Sequence, residues 1–188
     1  VARREGTLLK AYPPISFTIN VTGGESMRYR VERKDPIRIA GVRVALKEDQ
    51  EHNFQMVPKF WKEAFSSNLV SKISKLRNQK PPGILGVTVY KNPEEIYYYI
   101  AVSTDQAVSE NLYEYEIPAA TWVIFEGNGR FPDSIQTIFR RFLTEWLPFS
   151  GYEYAHLPDI EVYPSNQQIA QSGYSEVWIA VKKPKQAK

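Results

Sequence analysis

The sequence predicts an α+β fold built from two tandem copies of one unit, with a cleft between the copies. Three observations carry this. The order strand, strand, helix, strand, strand occurs twice, at about 27–102 and about 112–182. Each copy places a tryptophan in its helix, within Pro58-Lys59-Phe60-Trp61 and Phe142-Leu143-Thr144-Glu145-Trp146-Leu147. The 188 residues, 43% hydrophobic and 24% charged, are those of a globular chain that buries about 70% of its unfolded surface as one domain or two intimately packed lobes.

The elements follow in order. Residues 1–24 read as a linker or edge strand: Gly6 stops a short helical pattern, Tyr12-Pro13-Pro14 breaks any helix, and Ile15 to Val21 alternates weakly before Gly23-Gly24. The opening Val1 suggests a piece of a longer protein. Met27, Tyr29 and Val31 alternate with charged residues as a strand. Asp35-Pro36 turns the chain, and Ile37 to Leu46 continues extended, with a bulge expected at Gly41. Pro58 is placed in the first turn of a helix reaching Leu76 along Val57, Ala64, Phe65, Leu69 and Ile73. Pro81-Pro82-Gly83 ends it, and strands Ile84 to Tyr90 and Ile96 to Val102 follow. The second copy has strands Leu112 to Ile117 and Thr121 to Phe125 and a turn at Gly127-Asn128-Gly129. A helix from near Pro132 carries Ile135, Ile138, Phe139, Phe142, Leu143 and Trp146 on one face, and Pro148 stops it. Strands Asp159 to Tyr163 and Ser175 to Val181 close the copy around a polar loop.

Composition removes several function classes. The net charge of +3 is spread along the chain without a basic block, which argues against nucleic acid as a partner of this segment. There is no cysteine, so disulfides and thiolate metal sites are excluded, and two histidines with no repeated ligand spacing leave little for zinc. No apolar run approaches the roughly 20 residues of a membrane span. No metal or cofactor is expected, and the absence of cysteine suits a cytoplasmic protein.

The chain is unusually aromatic, with 12 Tyr, 9 Phe and 4 Trp. Against that background stands Asp159-Ile160-Glu161-Val162-Tyr163. Alternation puts Asp159, Glu161 and Tyr163 on one face and Ile160 and Val162 on the other. One reading is a strand with a wet acidic face and a dry aliphatic one. The other is a carboxylate at the floor of an aromatic pocket, where a cation gains about 2 kcal/mol from a desolvated ring and about 4 kcal/mol from a carboxylate at 4 Å before desolvation. Glu126 and Glu176 are reserve acidic candidates. Trp61 and Trp146 lie in helical apolar stripes, where tryptophan usually packs.

The segments Pro118-Ala119-Ala120-Thr121-Trp122-Val123-Ile124-Phe125, Phe142 to Glu153 and Pro158-Asp159-Ile160-Glu161-Val162-Tyr163 resemble the GyrI-like effector-binding domain of AraC-type transcription regulators. Arg38-Ile39-Ala40-Gly41-Val42, Val57-Pro58-Lys59-Phe60-Trp61 and the arm Leu9 to Phe17 extend the resemblance over nearly the whole chain. It implies duplicated β-α-β-β modules related by a pseudo-twofold axis, antiparallel sheets, and two main helices flanking a central ligand groove. It implies that 25–188 is the effector-binding domain, 1–24 being the arm after a helix-turn-helix domain that lies outside this chain and alone reaches DNA. The implied partner is a small aromatic or lipophilic cation, with Glu161 at the pocket base and Trp122 stacking on the ligand. Tyr98, Tyr113, Tyr115 and Tyr163 line the pocket, and Trp61 and Trp146 reach the groove. The expected role is sensing without catalysis. The alternative is a stand-alone GyrI-like hydrolase of strained electrophiles that uses the same glutamate.

Overall fold

A computed structural model describes residues 17–19, 27–129, 133–164 and 173–186. The first copy comprises β2 (Met27–Lys34), β3 (Ile37–Leu46), α1 (Gln50–Ser66), α2 (Leu69–Ser74), β4 (Ile84–Asn92) and β5 (Glu95–Ser103). The second comprises β6 (Tyr113–Ile117), β7 (Ala120–Gly129), α3 (Asp133–Arg141), a π-helical turn (Phe142–Trp146), α4 (Leu147–Ser150), β8 (Glu153–Tyr154), β9 (Asp159–Tyr163) and β10 (Gly173–Lys182). A short strand β1 (Phe17–Ile19), inside the expected arm, pairs with β2. All described strand pairs are antiparallel, in the order β1-β2-β7-β10-β9-β4-β5-β3-β6, with β8 alongside β10.

Without β1 that order reads the same from either end when the copies are exchanged: each copy's first strand lies outside the other copy's second strand. The pseudo-twofold axis therefore passes between β9 and β4. The same three residues, Ile100-Ala101-Val102 and Ile179-Ala180-Val181, fix the equivalence of β5 and β10. Because Thr88 pairs with Tyr98 and Glu161 pairs with Val177, this alignment makes Thr88 the counterpart of Glu161.

The connections force the sheet to bend. Two residues, Asp35 and Pro36, join β2 to β3, although these strands lie six places apart. On a flat sheet that is about 29 Å, and so short a link spans only about 10 Å. Pro118 and Ala119 impose the same closure between β6 and β7. One sheet face thus turns in on itself, burying Ile39, Ala101, Trp122, Ile124, Ile160, Val162 and Trp178. The other face carries the helices and a second core of Trp61, Ile73, Ile84, Tyr98, Phe125, Ile138, Phe142, Trp146 and Tyr163. All five residues of β9 are buried, so the strand has no wet face. The alternation is real, but both sides of this central strand are covered.

Local details depart from expectation where tertiary context overrides local signals. Helix α1 starts eight residues before Pro58, because Asp49 caps it by accepting from the Glu51 and His52 amides, and Pro58 lies inside. The run to Leu76 is broken at Asn68, whose φ of 59° cannot continue a helix. Pro148 does not end the second helix. Lacking an N–H, it sits in the first turn of α4 just after the π-turn, and the helix stops at Gly151 with φ of 74°. Gly41 is not a bulge. The β3–β5 register runs through it unbroken, and a Cβ there would lie 2.0 Å from the Ile100 carbonyl oxygen. The register shift falls instead between Tyr90 and Asn92. Strand β7 continues through the expected turn at Gly127 to Gly129. Pro132 and most of the polar loop after Pro164 lie outside the described residues.

Candidate functional site

The two helices leave a cleft of about 180 Å³ over the middle of the sheet, near the pseudo-twofold axis. Asn53, Phe54, Val57 and Pro58 of α1 form one wall, and Ile135, Gln136 and Phe139 of α3 form the other. Thr88, Tyr98 and Glu161 lie at its base. The walls are mostly apolar because the amphipathic faces of α1 and α3 turn toward the sheet and meet over the axis.

Glu161 is 6% exposed. Its Oε1 accepts hydrogen bonds from Tyr163 Oη at 2.6 Å and Tyr98 Oη at 3.2 Å. Tyr98 Oη in turn accepts from Trp61 Nε1 at 2.9 Å. The indole of Trp61 stands edge-to-face against Tyr163 at 5.4 Å and Tyr98 at 6.5 Å. Among the described residues no cation pairs with Glu161, and none donates a hydrogen bond to its Oε2. Burial pushes the carboxyl up to about 7. The Tyr163 and Tyr98 hydrogen bonds oppose that rise, and the nearby Asp159 adds to it. Burial, followed by the charge of Glu161, raises both tyrosines well above the usual phenol range.

A second buried carboxylate lies two residues away on the same face. Asp159 is 5% exposed, and both its oxygens are engaged: Tyr90 Oη donates to Oδ2 and Tyr154 Oη to Oδ1, each at 3.0 Å. Burial raises it to about 7 against those two hydrogen bonds. Asp159 does not line the cleft.

The eight residues expected at the site separate into groups. Glu161, Tyr98, Tyr163 and Trp61 come together in one hydrogen-bonded cluster, although Trp61 stands behind Tyr98 rather than in the cleft wall. Trp122 does not join them. It lies three residues from Phe125, which shares the face of Glu161 through Val177, so alternation sends Trp122 to the inward-curled face. There it packs against Trp178 at 6.1 Å, fully buried, with Nε1 lacking a partner among the described residues. Tyr113 and Tyr115 are on β6, at the end of the strand order. Tyr113 is 48% exposed with its ring 4.1 Å from the Arg43 guanidinium, and Tyr115 lies 6.3 Å from Tyr99. Trp146 shares the outer core but packs among Tyr29, Phe125, Phe142 and Tyr152. Of the reserve acids, Glu126 falls on the inward face with Trp122. Glu176 is tied to Arg30 at 2.7 Å and accepts from Tyr174 and Trp178.

Residues 30–181 match the family of integron-associated effector-binding proteins, Cass2. The chain belongs to that family. No curated protein matches it. Among solved structures, this effector-binding domain resembles SAV2435 bound to tetraphenylphosphonium, with a TM-score of 0.73, 17% identity, and coverage of 82% of this chain and 93% of that one. It also resembles a putative bacterial transcription regulation protein from Staphylococcus aureus MU50, with a TM-score of 0.70, 17% identity and coverage of 83% and 99%. For the C-terminal domain of EcmrR the values are 0.55, 15%, 84% and 99%. At such identities the likeness is one of fold, and the fold is the GyrI-like α+β architecture expected from sequence.

Sequence reasoning missed two residues that line the cleft of this Cass2-family chain. Thr88 looks like an ordinary strand residue until the register makes it the counterpart of Glu161. Phe54 precedes the expected helix start, yet it lines the cleft at 53% exposure. The signal for it was Asp49, a side-chain acceptor at the right distance to cap a helix that begins at Gln50.

Proposed function

We propose that this domain is the sensory half of a bacterial AraC-type transcription regulator. Its effector is an aromatic or lipophilic cation, held between α1 and α3 with its charge at Glu161. The observation that carries this reading is the state of that carboxylate: buried, lining an apolar cleft, and, among the described residues, lacking both a countercharge and a donor to Oε2. A buried unpaired carboxylate is costly. A bound cation removes that cost, contributing about 4 kcal/mol at 4 Å with an effective dielectric of 20 before its own desolvation. The tetraphenylphosphonium in the SAV2435 structure is a ligand of this chemical class.

The asymmetry across the axis narrows the class. The counterpart of Glu161 is uncharged Thr88, so the cleft offers one negative group and suits a single positive charge. The cleft is smaller than the roughly 300–1,000 Å³ of drug-sized sites. A larger effector would therefore also cover rim residues, of which exposed Phe54 is the most apolar. Such a domain would act in the cytoplasm and reach DNA through a separate helix-turn-helix unit. Among the described residues no helix is long and apolar enough to cross a membrane.

A titration of the protein with tetraphenylphosphonium tests the reading: saturable binding that weakens as pH falls below about 7 is expected from protonation of Glu161, and no binding at any pH would contradict it. The raised carboxyl also favours a second reading, with Glu161 as a general base acting on a strained electrophile. Steady turnover of such a compound would select that reading over sensing.

A further inference from the structure

Tyr98 reaches Glu161 only because the residue facing Glu161 across the β4–β9 pair is a glycine. Gly86 and Glu161 are direct register partners. A Cβ on Gly86 would lie 2.3 Å from Tyr98 Oη, 3.1 Å from Tyr98 Cζ and 3.1 Å from Glu161 Oε2. The space where a side chain would stand is thus taken by the tyrosine hydroxyl, which spans from Trp61 Nε1 to Glu161 Oε1. Gly86 has no positive φ among the backbone exceptions, so its conformation does not require glycine. What requires glycine is the close approach of Tyr98.

We infer that Gly86 is a positioning residue for the cation site: by leaving its side-chain space empty it seats the Tyr98 hydroxyl on Glu161, and so sets how readily that carboxylate holds its charge for a ligand. The inference rests on the cation-binding reading, but its chemistry is internal to the protein and can be followed without any ligand. Among the described residues the titratable groups facing Glu161 are few. Tyr98 comes from β5, Tyr163 and Asp159 from β9, and Tyr90 from β4. The cleft residues of α1 and α3 carry no titratable group. Removing one hydroxyl from so small a set should produce a readable change.

Alanine at 86 should be accommodated in the fold, since the closest obstacle is the far end of a side chain rather than backbone. The cost should fall on Tyr98. With phenylalanine at 98 the 2.3 Å contact disappears, and the two remaining contacts at 3.1 Å need only shift by tenths of an ångström.

The test uses four proteins: wild type, Gly86→Ala, Tyr98→Phe and the double variant. The first readout is the protonation midpoint of Glu161 in ligand-free protein, from carbon-13 NMR of the side-chain carboxyl across a pH series, with Glu161→Gln assigning the resonance. Tyr98→Phe should move the midpoint upward, because a donor to the ionised form is lost. Gly86→Ala should move it upward by a similar amount, and the double variant should match Tyr98→Phe instead of adding the two shifts. Tetraphenylphosphonium affinity, measured by calorimetry at about pH 7, should follow the same pattern, with both single variants weaker than wild type by about three- to tenfold. A midpoint in Gly86→Ala equal to wild type, or shifts that add in the double variant, would overturn the inference. If Gly86→Ala fails to fold, a folded double variant would still support it, and a double variant that also fails to fold would count against it. Absence of tetraphenylphosphonium binding to wild type would contradict the cation-binding reading alone, and the NMR midpoints would still decide the role of Gly86.

Discussion

Asp159 and Glu161 differ by one methylene and one turn of alternation, and they are nonetheless placed for different work. Both lie on the same face of β9, both are nearly inaccessible, burial pushes both up to about 7, and both accept from two tyrosines. The difference is in how those hydroxyls are distributed. Asp159 takes one on each oxygen and is closed. Glu161, which lines the cleft, takes both on Oε1 and has no donor to Oε2 among the described residues. A buried acid and a perturbed pKa are therefore not by themselves a binding site; the uncommitted oxygen and the space beside it make the difference.

The comparison can be challenged first through stability. Each carboxyl is raised above its unfolded value, so the folded protein keeps protons that the unfolded chain releases. The ionised forms therefore weigh against folding, and stability falls as pH rises from the unfolded values near 4 through about 7. Asp159→Asn and Glu161→Gln should each exceed wild type in urea unfolding at about pH 8, by up to roughly 3 kcal/mol, with the gap closing toward about pH 4. A gap that does not change with pH would mean that neither carboxylate is desolvated.

A sharper distinction is expected in binding. Asp159→Asn keeps an acceptor for one tyrosine and a donor for the other, so tetraphenylphosphonium affinity should stay within about twofold of wild type. A loss of tenfold or more, about 1.4 kcal/mol, would move the charge-binding role to Asp159. The helix tryptophans should separate from each other in the same way. Trp61→Phe removes the donor to Tyr98 and should weaken cation binding by about 1 kcal/mol, measured by calorimetry. Trp146→Phe acts within an aromatic core away from the cleft and should lower the thermal midpoint while leaving affinity unchanged.

The sequence made the duplication legible because its two hydrophobic patterns and two helix tryptophans repeat in the same order. Strand β9 was legible to the residue, and so was the side-sharing of Asp159, Glu161 and Tyr163, which depends only on alternation within one strand. Trp122 was misplaced for the complementary reason. Its face relative to Glu161 depends on a register passed through β10, and no local pattern encodes that. Tyr113 and Tyr115 failed likewise, since the exchange of first strands between copies carries β6 away from the cleft. The helix starts and stops were misread at Pro58 and Pro148, where a distant cap and a π-turn accommodate prolines that local rules treat as boundaries.

The central claim is that the charge on Glu161 is what a cationic effector binds. Calorimetric titration of wild type and Glu161→Gln with tetraphenylphosphonium, alongside an uncharged compound of similar shape, at about pH 8 and about pH 5.5, tests it most directly. Wild type should bind the cation more weakly at the lower pH, and Glu161→Gln should bind it about 1 to 3 kcal/mol more weakly than wild type at the higher pH. The uncharged compound should be insensitive to both changes. Equal cation affinity in wild type and Glu161→Gln at the higher pH would contradict the claim.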